Sequence, residues 1–133
     1  MYNEGDNINI KRKYGCKRNP YNFDDELKMS QLLLNKAPAD LPLNFDLLDK
    51  CPKEIRDQQE ENICGGMAGS VLRQMHLNNV NNQLSPAFLY WKARQMHGDT
   101  QDDCGVYLKD IVETLKTYGI CEESYMKFVS GEY

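Results

Sequence analysis

Asp57-Gln58-Gln59-Glu60-Glu61-Asn62-Ile63-Cys64-Gly65-Gly66-Met67-Ala68-Gly69-Ser70-Val71-Leu72-Arg73-Gln74-Met75-His76 is the stretch on which the reading of this chain turns. From Cys64 onward the apolar residues Met67, Ala68, Val71, Leu72 and Met75 recur at spacings of three and four, which places them on one helical face. A buried helix from Cys64 to about His76 is therefore expected. Its opening is unusual, because Gly65, Gly66 and Gly69 each cost about 1 kcal/mol relative to Ala inside a helix. A frayed first turn is the plain explanation. The sharper one is close approach of another group, which only a residue without a Cβ permits.

Downstream, Ser85 followed by Pro86 is the preferred opening of a second helix, expected to run to about Met96. A third is expected from Leu108, Ile111, Val112 and Leu115 at i, i+3, i+4 and i+7, with Gly119 just past its end as a left-handed cap. Asn78-Asn79-Val80-Asn81-Asn82 reads as a polar loop. Tyr90 and Trp91 read as core. Asp102-Asp103 reads as capping and dipole compensation for the third helix. Upstream, residues 1–40 form a polar arm with one short helix over Leu27 to Leu34. Pro38 and Pro42 mark the boundary with a domain spanning 41–133. The fold class expected is mainly α.

A chain of 133 residues, 41% hydrophobic and 27% charged, supports one domain of ordinary size. The net charge of −4 argues against nucleic acid as a partner. The basic run Lys11-Arg12-Lys13, with Lys17 and Arg18, reads as a solvated arm. No stretch approaches the ~20 apolar residues of a membrane span, and the N-terminus lacks the pattern of a secretory signal. An intracellular or virion-associated protein is the expectation. Cys16, Cys51, Cys64, Cys104 and Cys121 form no Cys-x-x-Cys pair, so neither a zinc site nor another metal or cofactor is expected. Four of them could pair as disulfides, or all five could be free thiols. Cys104 and Cys121 read as core or disulfide residues.

Cys64 is the cysteine expected to open a long helix, where unpaired amides and the helix dipole favour a thiolate. A thiolate that attacks a carbonyl also needs a donor aimed at the developing oxyanion. Gln58, on the loop leading into the helix, can supply that donor beside the Cys64 amide.

The run Leu41-Pro42-Leu43-Asn44-Phe45-Asp46-Leu47-Leu48, then Cys51-Pro52, Arg56-Asp57-Gln58 and Cys64, resembles the start of a mature papain-like cysteine peptidase domain. Leu84-Ser85-Pro86-Ala87-Phe88-Leu89-Tyr90 is similar to that family's second helix. Gly105 through Tyr125 is similar to its glycine turn, third helix and Gly-Ile/Val-Cys-x-Glu-x-Tyr segment. The arm, from Tyr14-Gly15-Cys16 to Asn22-Phe23-Asp24-Asp25, resembles the short leader of bacterial and viral members. The likeness runs collinearly from about 41 to 128. It implies the left, helical half of a papain-like α+β fold. It also implies a zymogen-like arm, a polypeptide substrate, Cys64 as nucleophile and Gln58 in the oxyanion hole.

Three departures stand beside the resemblance. Around the nucleophile the family's Cys-Gly-Ser-Cys-Trp is here Glu61-Asn62-Ile63-Cys64-Gly65, so the disulfide from the upstream cysteine cannot form. Gln59 replaces the usual glycine, and Glu60-Glu61 bring negative charge near the thiol, against the helix dipole. The family's catalytic His and Asn lie about 130–150 residues beyond the nucleophile, and this chain ends before them. His76 and His97 occupy neither position and read as surface or loop residues. The expectation is a cysteine endopeptidase in which a missing segment or second chain carries His and Asn. The alternative is a non-catalytic papain-like structural or binding module, of viral or microbial origin.

Overall fold

The computed structural model describes residues 13–20, 22–24, 27–28, 31–32, 44–79 and 81–132. The fold is mainly helical. A two-residue strand β1 (Cys16–Lys17) precedes a short 3-10 turn (Leu48–Lys50), then helix α1 (Cys64–His76), helix α2 (Pro86–Gln95), strand β2 (Val106–Tyr107) and helix α3 (Leu108–Thr117). In the arm, Leu27, Lys28, Gln31 and Leu32 are helical, as the short-helix reading expects. The boundary expected at 36–42 lies outside the described residues.

α2 opens as its sequence requires: the Ser85 hydroxyl accepts a hydrogen bond from the Phe88 amide at 3.0 Å, and Pro86 fills the first helical position. α3 ends where Gly119 takes φ +76° and its amide donates to the Leu115 carbonyl at 3.2 Å. The three helices pack against one another. Ile63, Leu89, Tyr90, Ala93, Val106 and Ile111 form the buried core. Trp91 departs from the core reading: it lies half-buried beneath the Lys92 ammonium while Tyr90 is fully enclosed.

The face of α1 that packs is not the one its periodicity suggests. Gly65, Gly66, Gly69, Ser70 and Gln74 are buried, whereas Ala68 is exposed and Leu72 is 63% exposed. A Cβ on Gly66 would stand 2.5 Å from the Pro86 carbonyl oxygen, and one on Gly69 would stand 2.6 Å from the Ile111 side chain. The glycines thus let α2 and α3 approach the backbone of α1 more closely than any larger residue permits. α3 is likewise rotated: Asp110, Ile111 and Thr114 are buried while Val112 is 63% exposed.

The larger side chains instead line two open apolar depressions. One of about 910 Å³ includes Leu47, Leu72, Met75, Val112 and Leu115, and the other of about 550 Å³ includes Pro52, Ile55, Met67, Val71 and Met75. No helix among the described residues is long and apolar enough to cross a membrane.

Candidate active site

Cys64 is the first residue of α1, half-buried, and no side chain caps that end of the helix. Six residues earlier, Gln58 is also half-buried. Its side-chain amide donates to the Glu61 carbonyl at 3.0 Å, which folds the 58–61 turn back on itself, and to the Lys13 carbonyl at 2.7 Å. A main-chain carbonyl of an extended segment therefore already occupies the donor that sequence reasoning assigns to an oxyanion.

That segment is the arm. β1 runs parallel to β2, with Cys16 opposite Val106 and Lys17 opposite Tyr107, and the Val106 amide donates to the Gly15 carbonyl at 2.8 Å. Gly15 is buried against the turn before Cys64, where a Cβ would fall 1.8 Å from the Asn62 carbonyl oxygen. On its other side Gly105, at φ +76°, abuts the Gly15 carbonyl so closely that a Cβ there would lie 2.2 Å from it. Two glycines facing each other bring the backbones together, and each also removes a side chain from the gap. The basic arm is not simply solvated: Lys13 pairs with Asp103 at 3.4 Å and Lys17 with Asp99 at 3.6 Å.

Asp103 does not cap the third helix, whose N-terminus has no side-chain cap. It is turned instead toward the turn before Cys64, for which its sequence position gave no signal. Its carboxylate accepts from the Asn62 amide at 3.0 and 3.1 Å, from the Asn62 side chain at 3.2 Å and from the Tyr90 hydroxyl at 2.5 Å, while the Asn62 side chain also donates to its carbonyl at 2.6 Å. Burial alone would push this carboxyl up; the hydrogen bonds from Tyr90, Asn62 and Lys13 outweigh it and hold Asp103 below the usual carboxylate range. Burial, reinforced by Asp103, pushes the Tyr90 phenol well up, so it remains a hydroxyl that donates to Asp103 and accepts from the Gly105 amide at 3.0 Å. A polar clasp thus joins the turn before Cys64 to the glycine turn at 105.

Glu61, expected to press its charge on the thiol, is buried with its carboxylate turned elsewhere. It accepts from the Ser130 hydroxyl and the Gly131 amide, both at 2.8 Å. All five cysteines are free. Cys104 is half-buried with its sulfur 3.5 Å from the Lys17 ammonium, and burial pushes the Cys121 thiol up.

His76 is the last residue of α1, roughly 18 Å along the axis from Cys64 at 1.5 Å per residue. The His97 imidazole is bound by the buried Asp110 carboxylate at 2.8 Å. Among the described residues no group of three or more His, Cys, Asp or Glu is arranged to hold a metal ion. What the arrangement offers chemically is a thiol at a helix start and an amide donor engaged by a peptide carbonyl. Compared with family models, characterised proteins and solved structures, the chain matches none.

Proposed function

We propose that this chain is the nucleophile-bearing, helical half of a papain-like cysteine endopeptidase, held latent by its arm. The observation that carries this reading is the engagement of the Gln58 amide by the Lys13 carbonyl just ahead of a helix that begins at Cys64. In a substrate complex the same amide, with the Cys64 backbone amide, would meet the carbonyl oxygen of the scissile bond. Thiolate attack forms the carbon–sulfur bond and moves the carbonyl electron pair onto that oxygen. Collapse expels the amine, which takes a proton from an imidazolium, and water then hydrolyses the thioester. The histidine and its asparagine partner come from a further segment or a second chain. Leu72, Val112 and their neighbours, left uncovered by the described residues, offer an apolar face for that part.

A second reading is a non-catalytic papain-like binding module, in which the Gln58 amide serves only to seat a peptide carbonyl such as that of Lys13. Site-resolved alkylation of the full chain with iodoacetamide separates the two. The peptidase reading expects Cys64 to react several-fold faster than the other cysteines once the arm is displaced, and adding a chain that carries the His and Asn half to restore turnover that Cys64→Ser abolishes. Reaction of Cys64 no faster than the exposed Cys51 under both conditions would favour the binding module.

A further inference from the structure

We propose that the groove between the 58–62 turn and residues 103–107 is a receptor for extended polypeptide segments of the form basic-x-glycine-x-basic, with arm residues 13–17 as its resident occupant. This names the substrate class of the candidate active site. It rests on the peptidase reading only for what becomes of the bound segment; recognition itself does not depend on Cys64.

β1 itself covers Cys16 and Lys17, which point to opposite faces, and a segment continuing that geometry backward would place 13, 15 and 17 on one face and 14 and 16 on the other. From Tyr14 to Lys17 the environments follow that alternation. Tyr14 is 91% exposed and Cys16 is exposed. Gly15 is buried, and the side chains of Lys13 and Lys17 reach acidic partners on the domain.

The central position is read by exclusion, because the Asn62 main chain and Cβ leave no room for a Cβ on Gly15. The outer positions are read by charge. Asp103 faces Lys13, while Asp99, the Cys104 sulfur and the Tyr107 ring, 5.6 Å away, surround the Lys17 ammonium. The main chain is held independently of sequence, through Gln58 on the Lys13 carbonyl and Val106 on the Gly15 carbonyl. Main-chain hydrogen bonds that supply affinity, with alternate side chains that supply specificity, are the general logic of strand-addition recognition.

Hydrogen exchange at the Val106 amide of the full chain reports occupancy directly. Substituting Lys13→Ala and Lys17→Ala together removes two ion pairs near the surface and the Lys17 contacts with Cys104 and Tyr107, and is expected to speed that exchange by about tenfold, with the core amides unchanged. Gly15→Ala should expel the arm and leave the Val106 amide unprotected. A blocked synthetic peptide spanning residues 13–17, with Cys16→Ser, should then restore protection; its Gly15→Ala counterpart should not, and its Lys13→Gln counterpart should need up to about fivefold more peptide for the same protection.

Equal protection by the alanine peptide, or no restoration by the glycine peptide at millimolar concentration, would overturn the glycine rule. Should the Gly15→Ala chain fail to fold, the double lysine variant still decides: unchanged Val106 exchange would refute the role of charge. Because the readout is binding, Cys64→Ser leaves it intact, so failure here is distinguishable from failure of the peptidase reading.

Discussion

Asp103 binds the Asn62 backbone, the Tyr90 hydroxyl and the Lys13 ammonium with one carboxylate. Its folded pKa lies below the usual 3.8, so its contribution to stability is fully present above that value and is lost as pH falls through the lowered one. Urea midpoints measured through the acid range should therefore drop across that window. Asp103→Asn should be less stable than the parent at neutral pH and show a flatter acid limb, because it no longer exchanges that proton. An identical acid limb in the two proteins would contradict this role. The residue also stands where the turn before Cys64 meets the glycine turn at 105.

At the scale of elements, caps and faces separate cleanly. Ser85 supplies the first-turn acceptor of α2 and also donates to the Met126 carbonyl, so Ser85→Ala should cost about 1 kcal/mol or somewhat more, read by thermal denaturation. The face of α1 gives a sharper contrast. Were Leu72 in the core, Leu72→Ala would cost about 2–5 kcal/mol. With Leu72 at 63% exposure, the expected change is within about 0.5 kcal/mol. The same substitution should instead weaken association with a chain that covers this face, which titration calorimetry with that chain would register.

Across the whole molecule, the helical core and the arm are joined by contacts of unequal strength. The helices share a buried apolar core, whereas the arm is tied by the two-residue β1–β2 pairing, hydrogen bonds to its carbonyls, Gly15 packing and near-surface contacts of Lys13 and Lys17, the ion pairs among them worth about 0–1 kcal/mol each. Local opening of the arm should therefore precede global unfolding. Native-state hydrogen exchange should place the amides of Leu89, Tyr90 and Ile111 at the global limit and the Val106 amide at a lower opening free energy. Coincidence of all four would mean that arm and core unfold as one unit. Under the proposed function the difference matters, because a weakly held arm would yield the Gln58 donor to another polypeptide while α1 stays folded.

Sequence by itself determined the helices and their ends: the start at Cys64, the Ser85-Pro86 opening and the Gly119 stop are local hydrogen-bonding and backbone preferences, legible residue by residue. It also set Gln58 and Cys64 six residues apart around a turn. Only the tertiary structure decided which face of α1 is buried. Periodicity shows which residues share a face, but close helix approach is governed by the smallest side chains, so Gly66 and Gly69 meet α2 and α3 while Leu72 faces outward. Tertiary structure likewise decided the roles of Asp103 and Glu61 and the seat of the arm. Those depend on contacts between residues 13 to 90 positions apart, and nothing local in the chain specifies them.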